Sequence, residues 1–322
     1  MAAPVSSSAP LSNGVTMPSV GFGCAFGNWT GDTERQGFLP EQAWHAVSQA
    51  FDVGYRHFDI AHAYGTERHV RDVLAPKFMA GTLKRDDFFV TTKIFHPAAP
   101  PHIAISGSLT WDARDVPDVG ARTHLDYEKS LDNIGLGYFD LCLMHWPGVF
   151  KETDAAFARG VRKQVWGAQE QFLAKGSARA IGVANFSRRH LEELMEDCEV
   201  KPMVNQIEVH PYCYDKDLID FCHANGIVVE AYAPFASGSF GLLKDPVITE
   251  IADRVGKSTG QVILRWHAQL GHVVLPKSSN PARMAANLDL YSFELTDADM
   301  AAITGLGASE MKRTCPDPAT IV

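Results

Sequence analysis

The chain has 322 residues, of which 46% are hydrophobic and 21% are charged, a balance that allows a large buried α/β core. Its 29 basic and 38 acidic side chains leave a net charge of −9, which disfavours binding to nucleic acid or to acidic membrane surfaces. The six cysteines form no C-x-x-C pair, so neither a zinc framework nor a disulfide framework is expected.

The first residues, MAAPVSSSAPL, lack the basic and apolar regions of a secretory signal. No apolar run approaches the length that a membrane-spanning helix needs. With the scattered cysteines, these features predict a soluble, cytoplasmic protein.

The first predicted element is a hairpin in the segment LSNGVTMPSVGFG, residues 11–23. It turns at Asn13-Gly14, because this dipeptide readily adopts the positive φ angles of a tight hairpin turn.

Eight short apolar runs follow, and amphipathic segments separate them. They predict eight parallel strands, buried on both faces, at residues 55–61, 88–94, 139–146, 178–185, 203–209, 227–233, 272–278 and 287–292. Helix signals lie between the runs: Gly54 ends a helix over residues 41–51, Asp215 caps another, and Ser258 with Gln261 forms a capping box. Eight such units without a G-x-G-x-x-G turn predict one (β/α)₈ TIM barrel domain over residues 1–322, with the hairpin closing its bottom.

A long loop is predicted over residues 96–120, which are rich in Pro, Gly, Ser and Asp. It follows the strand that carries Lys93, so it belongs to the barrel mouth. Its apolar residues Ile103, Ile105, Leu109 and Trp111 suggest a lid over the substrate. The alternative is an insertion packed on the outside of the barrel or on another subunit.

Polar residues lie near the end of nearly every predicted strand. In such barrels the chemistry sits at the carboxyl ends of the strands, so these residues are the candidates. They are Asp59, Lys93, His145, Asn185, Gln206, Glu208, Tyr232 and Lys277.

Residue types at this mouth indicate acid catalysis. Lys93 and Asp59 can form an ion pair in an apolar cavity, and Tyr64 is near enough in sequence to lie beside the ammonium group. We expect the ammonium group to lower the pKa of the phenol and make it a general acid, with His145 orienting the acceptor oxygen. Taken singly, Tyr64 could be a loop aromatic and His145 a core histidine.

The sequence resembles the aldo-keto reductase family over nearly its whole length. The matching segments, in family order, are GYRHFDIAHAYGTE at 54–67, TTKI at 91–94, LMHWP at 143–147, IGVANF at 181–186, NQIEVHP at 205–211 and LPKSSNPARMAAN at 275–287. The resemblance implies NADPH-dependent reduction of a small-molecule carbonyl, with a catalytic tetrad of Asp59, Tyr64, Lys93 and His145.

The resemblance also implies a cofactor site for NADPH/NADP⁺. It assigns Asn185 and Gln206 to the nicotinamide carboxamide, Tyr232 to stacking on the ring and Ser237 to the pyrophosphate. At the adenosine end it assigns Lys277, Ser278 and Arg283 to the 2′-phosphate and Asn287 to adenine. Cations around this phosphate would favour NADPH over NADH.

Some positions depart from the family pattern. Ala184 and Ala233 replace common serines, and Ala286 replaces an adenine-binding glutamate, so reduced cofactor affinity is expected. Ile60 replaces a common threonine, which matters less. The usual aromatic of the first βα region is absent, and the predicted substrate-binding residues are Phe26, Trp29 and Trp146.

Two other functions compete with the reductase. One is a catalytically idle family member that only binds NADPH, against which the complete tetrad argues. The other is a metal-dependent barrel hydrolase built on His57, Asp59, His62, His145 and His210, although no H-x-H motif lies on the first strand and no metal is predicted. The sequence does not identify the carbonyl or the favoured direction, and we expect a monomer or a weak homo-oligomer.

Overall fold

The computed structural model describes residues 7–28, 37–38, 40–95, 111–148 and 152–322. Its strands are β1 Ser8–Pro10, β2 Thr16–Pro18, β3 Phe22–Gly23, β4 Gly27–Asn28, β5 Gly37–Phe38, β6 His57–Asp59, β7 Phe89–Ile94, β8 Phe139–Met144, β9 Ala178–Ala184, β10 Val204–Glu208, β11 Val228–Tyr232 and β12 Val273–Leu275. Its helices are α1 Ala43–Val53, α2 Glu67–Met79, α3 Val119–Ile134, α4 Ala155–Ala174, α5 Arg188–Asp197, α6 Lys216–Ala224, α7 Pro246–Val255, α8 Thr259–Gln269, α9 Pro281–Leu288 and α10 Asp297–Thr304.

The parallel strands form one barrel in the order β3, β6, β7, β8, β9, β10, β11 and β12. Backbone bonds join its two ends: the amide of Gly21 donates to the carbonyl of Val274 at 2.8 Å, and the amide of Val274 donates to the carbonyl of Ser19 at 2.9 Å. Helices follow the strands and cover the outside. This confirms the predicted (β/α)₈ fold.

The identity of one strand was predicted incorrectly. Residues 287–292 are not a strand, because Asn280 caps helix α9 and that helix continues to Leu288. The apolar alternation there arises from a loop that buries Leu290 completely. The eighth strand is instead β3, only two residues long and preceded by Gly21, where a Cβ atom would lie 2.6 Å from the Leu275 side chain.

The N-terminal hairpin closes the bottom of the barrel, as predicted. β1 and β2 pair antiparallel, and Gly14 has a φ of +86° in the turn between them. Leu11 and Met17 form an apolar cluster with side chains from the amino-terminal parts of the barrel strands, among them Phe89 and Val204. Burying these side chains removes apolar surface from water and seals this end.

The predicted helix boundaries follow local hydrogen bonds. Ser258 and Gln261 form the reciprocal capping box at the start of α8, and the Asp215 carboxylate accepts the backbone N–H of Leu218 at the start of α6. Gly54, with a φ of +123°, ends α1. Among the described residues, no helix is both long and apolar enough to cross a bilayer.

Candidate active site

The predicted site residues lie where the parallel strands end. At or just beyond the carboxyl ends of β6 to β12 are Asp59, Lys93, His145, Asn185, Gln206, Glu208, Tyr232 and Lys277. Tyr64 ends a short 3₁₀ turn, His62–Tyr64, that follows β6. Because the strands of a closed barrel end on one face, these side chains gather at one mouth.

A buried ammonium group holds the centre of the site. Lys93 Nζ donates to Asp59 Oδ1 and Oδ2 at 2.8 and 2.7 Å, and to the carbonyl of Ile60 at 3.0 Å. It also hydrogen-bonds to the side chain of Tyr64, whose ring centroid lies 4.7 Å from Nζ. Burial opposes the charge, but the charge and hydrogen bonds of Asp59, with smaller effects from Tyr64 and Glu230, together raise the pKa of Lys93. The lysine therefore remains a cation.

The expected lowering of the Tyr64 pKa is wrong for this structure. Burial raises the pKa of Tyr64 to about 12, and the lowering effect of Lys93 is smaller than the effect of burial. The negative charge of Asp59, which is paired with Lys93, adds to the effect of burial by opposing formation of a phenolate. The phenol is therefore protonated at neutral pH.

His145 lies beside this tyrosine. It directly follows β8, and its ring centroid is 5.6 Å from that of Tyr64 with the rings nearly perpendicular, at 79°. Its backbone carbonyl accepts a bond from Asn185 Nδ2 at 2.9 Å. The turn that carries Tyr64 is anchored to helix α3, because His62 Nδ1 lies 2.8 Å from Ser130 Oγ.

Asn185 and Tyr232 form a second polar group at the mouth. Asn185 follows β9 with a φ of +62°, a conformation that Asn adopts more readily than most residues. Tyr232 donates from its hydroxyl to Asn185 Oδ1 at 2.7 Å. With this bond from Tyr232 and the one to the carbonyl of His145, the Asn185 amide keeps one N–H that a ligand can use.

Gln206 links the ion pair to another carboxyl group. Its Nε2 donates to Asp59 Oδ1 at 2.9 Å and to Glu230 Oε2 at 2.7 Å. Glu230, on β11, is fully buried, and burial together with the charge of Asp59 raises its pKa to about 8. Glu230 was not among the predicted site residues, although a glutamate within the apolar run IVVEAYA was a usable signal.

The predicted phosphate-binding residues are only partly brought together. Arg283 Nε lies 3.4 Å from Ser278 Oγ at the start of α9. Lys277 Nζ instead donates to the carbonyl of Ala25 at 2.8 Å and lies 5.3 Å from the Phe26 ring centroid. In the part of the chain that the structure describes, neither Lys277 nor Arg283 forms an ion pair with an acidic residue.

The remaining predicted cofactor residues differ in exposure. Ser237 is exposed, and its Oγ lies 3.5 Å from Thr314 Oγ1. Asn287 lies on the buried face of helix α9, where its side chain hydrogen-bonds to Tyr55. Ser237 is therefore open to a ligand, whereas the side chain of Asn287 already has a buried hydrogen-bond partner.

Of the residues predicted to bind substrate, two lie in the described parts of the chain. Phe26 and Trp146 are each 6% exposed. Phe26 lies in the loop after β3, with its ring centroid 5.3 Å from Lys277 Nζ. Trp146 directly follows His145. Trp29 lies outside the described residues.

Comparison with known proteins identifies the family. Its model, described as the aldo/keto reductase family, matches residues 24–308. The chain belongs to the aldo/keto reductase family. A glyoxal reductase from Bacillus subtilis is 38% identical, and the alignment covers 96% of this chain and 95% of that protein. Aldo-keto reductase family 1 member A1-A from Danio rerio is 34% identical, with coverage of 93% and 89%.

Solved structures agree with this assignment. An aldo-keto reductase from Bombyx mori, in complex with NADP, is 30% identical and has a TM-score of 0.76 over 95% of this chain and 94% of that chain. An aldo/keto reductase from Brucella melitensis is 32% identical and has a TM-score of 0.73 over 93% and 98%. The fold and the family therefore agree.

The backbone of this aldo/keto reductase is unusual at the mouth. Several non-glycine residues with positive φ follow strand ends: Phe95 at 57°, Asn185 at 62°, Ala233 at 48° and Ser237 at 51°. Such conformations cost energy and are concentrated at functional sites in proteins. Phe95, Ala233 and Ser237 are not residue types that favour positive φ, so the sequence carried no signal at these three positions.

Glu208 holds the C-terminal segment over the mouth. Its Oε1 accepts bonds from Thr314 N at 2.6 Å and Thr314 Oγ1 at 2.7 Å, and its Oε2 accepts from Cys315 N at 3.1 Å. Burial opposes the charge, but these bonds and one from His210 together lower the pKa of Glu208. From the sequence, Glu208 was predicted only as a polar residue at a strand end.

The metal-dependent alternative loses its basis. His57 Nε2 lies 3.0 Å from Thr91 Oγ1, and both Asp59 oxygens are held by Lys93. Within the described ranges, the one cluster with closely spaced ligand atoms is Glu208, His210 and Cys213, and its carboxylate is occupied by the C-terminal segment.

The predicted lid falls largely outside the described residues, which resume at Trp111. Trp111 is 8% exposed, and its ring packs 5.4 Å from that of Phe95, just beyond the strand that carries Lys93. Its Nε1 donates to Asp126 Oδ2 on α3 at 2.7 Å. The end of the loop is thus packed beside the mouth, and closure over a substrate stays a prediction.

Proposed function

We propose that this chain reduces aldehydes or ketones to alcohols with NADPH, with Tyr64 as the proton donor. The observation that carries the proposal is the buried Lys93 ammonium group, which binds both oxygens of Asp59 and hydrogen-bonds to Tyr64. An ion pair beside a buried phenol can stabilise the phenolate that remains after proton donation to a carbonyl oxygen, and the named relatives are reductases.

The proton is held at the Tyr64 hydroxyl. With its pKa raised to about 12, the phenol keeps this proton at neutral pH and donates it only to a stronger base. A carbonyl oxygen that is becoming an alkoxide is such a base. Lys93 then stabilises the phenolate left behind, and Asp59 keeps the lysine in place.

His145 orients the acceptor oxygen in this proposal. Its ring approaches the Tyr64 ring at nearly a right angle, so both can face one oxygen atom. Buried Trp146 follows it in the chain, and we assign Trp146 and Phe26 to the apolar wall around the substrate.

The residues present fit NADPH, the reduced nicotinamide adenine dinucleotide phosphate, which supplies the hydride when bound. Asn185 offers a free N–H, and the exposed Ser237 offers a hydroxyl. Ser278 and Arg283 lie together without an acidic partner among the described residues, which suits a phosphate. The NADP complex of the related Bombyx mori enzyme supports this choice.

The decisive experiment is a panel of aldehydes and ketones with NADPH or NADH, followed by the absorbance of the reduced nicotinamide. We expect oxidation of NADPH with at least one carbonyl and slower oxidation of NADH. Tight NADPH binding without turnover of any carbonyl would instead identify a catalytically idle family member.

A further inference from the structure

Gln206 is held between two carboxyl groups at the floor of the mouth. Its Nε2 has two hydrogens, and both are used: one donates to Asp59 and the other to Glu230. Placing the amide oxygen there instead would set it against the carboxylate of Asp59, which is unfavourable. The amide orientation is therefore determined.

This orientation restricts what Gln206 can offer to a ligand. With both N–H groups committed, only its carbonyl oxygen remains, and that oxygen accepts hydrogen bonds. Asn185 has the opposite capacity, because it still has one N–H to donate. A carboxamide, which carries one acceptor and one NH₂ donor, matches this pair in one orientation only.

We propose that Glu230 is a positioning residue that fixes the Gln206 amide, so that Gln206 accepts the NH₂ of the nicotinamide carboxamide while Asn185 donates to its oxygen. This inference rests on the proposed NADPH function and adds to it a residue that contacts no reacting atom. It also predicts that the site distinguishes a carboxamide from a group of the same shape without the NH₂.

The surroundings of Glu230 exclude a role as a simple ion-pair partner. The nearest cation, Lys93, is engaged by Asp59, and the imidazole of His57 lies 3.5 Å away but has its pKa lowered to about 4 by burial, so it is neutral. Burial favours a protonated Glu230 at neutral pH. A protonated carboxyl group still accepts the Gln206 bond through its carbonyl oxygen.

Two substitutions separate orientation from charge. Glu230→Gln removes the charge but keeps an acceptor oxygen at the same reach. Glu230→Asp keeps a carboxyl group, but its side chain is one methylene shorter, which moves the acceptor oxygen away from Gln206. If orientation is the role, the Gln variant behaves like the wild type and the Asp variant does not.

The probes are NADP⁺ and its 3-acetylpyridine analogue, in which a methyl group replaces the carboxamide NH₂. Binding is followed by quenching of tryptophan fluorescence, with thermal melts to check that each variant folds. We expect the wild type to bind NADP⁺ about 10- to 100-fold more tightly than the analogue, because the analogue leaves the buried Gln206 oxygen without a donor. Glu230→Gln should keep this ratio, and Glu230→Asp should reduce it to a few-fold.

The outcomes distinguish the two proposals. A wild type that binds neither dinucleotide would overturn the proposed function and this inference with it. If the wild type prefers NADP⁺ over the analogue and a folded Glu230→Asp variant has the same affinity ratio, this inference alone would be overturned. If the Asp variant does not fold, loss of the ratio in the nearly isosteric Gln variant would overturn it equally.

Discussion

The two ends of the barrel are built from the same strands and have opposite chemistry. Strand β7 contains both: Phe89, at its start, belongs to the apolar cluster with Leu11 and Met17 of the hairpin. Lys93, near its end, is 1% exposed and binds Asp59. At the bottom, burial removes apolar surface from water; at the mouth, burial removes charges from water, which is costly unless they are paired.

Burial therefore stabilises the fold at the hairpin end, whereas at the mouth it costs stability unless the polar groups are paired. The hairpin end needs no polar partner, so its contribution depends on volume and fit. At the mouth, each polar group depends on a specific neighbour, as Gln206 depends on Asp59 and Glu230. Substitutions at the two ends should therefore change different measured quantities.

The largest expected effect is on turnover, at the mouth. Tyr64→Phe removes the proton donor and should lower kcat by about 10²- to 10⁴-fold, while cofactor binding persists. Steady-state kinetics with a carbonyl substrate that the wild type reduces measure this change in kcat. Tyr138→Phe is the control, because that hydroxyl bonds to exposed Asp86 away from the mouth. Near-normal kcat in a folded Tyr64→Phe variant would require another acid.

The second effect combines activity with stability. Lys93→Met leaves the buried carboxylate of Asp59 without its cation, which should cost about 3–5 kcal/mol of unfolding free energy as well as most of the turnover. Adding Asp59→Asn should recover part of the stability and none of the activity. Denaturant unfolding of both variants measures this; a fully stable Lys93→Met protein would contradict the importance of the pair.

The third effect is confined to the bottom of the barrel. Met17→Ala should lower the free energy of unfolding by about 2–5 kcal/mol, because Met17 is fully buried and the substitution leaves a cavity. The folded variant should keep wild-type kcat. Met79→Ala is the matched control, because Met79 is 84% exposed and should be neutral. Equal destabilisation by both substitutions would mean that the hairpin does not pack as described.

The smallest effect concerns the phosphate end of the mouth. Arg283→Ala should weaken NADPH binding about 10- to 100-fold, since a charge-assisted bond is lost, and should leave NADH binding nearly unchanged. Arg159→Ala is the control, because that side chain pairs with Glu196 and Asp197 away from the mouth. Fluorescence titration of the wild type and both variants with NADPH and with NADH measures the six affinities. Equal wild-type affinity for NADPH and NADH would refute the phosphate assignment.

Much of the site was readable in the sequence for a simple reason. Asp59 and Lys93 each lie at the end of an apolar strand, and parallel strands of a barrel must end on one face. Glu230 escaped notice because it lies inside a strand, where a charged residue is normally rare and where only its neighbours explain it. The Tyr64 pKa was misjudged because sequence does not report the extent of burial.

The sequence by itself determined seven of the eight barrel strands, the helix caps and the residue types at the mouth, since these follow from local patterns and from motif order. It could not determine that β3, two residues long and flanked by glycine, closes the barrel instead of residues 287–292, because a short strand is defined by its partners. Nor could it place Thr314 and Cys315 against Glu208, more than a hundred residues away. Such contacts depend on the closed barrel, which brings distant segments together only after the local elements have formed.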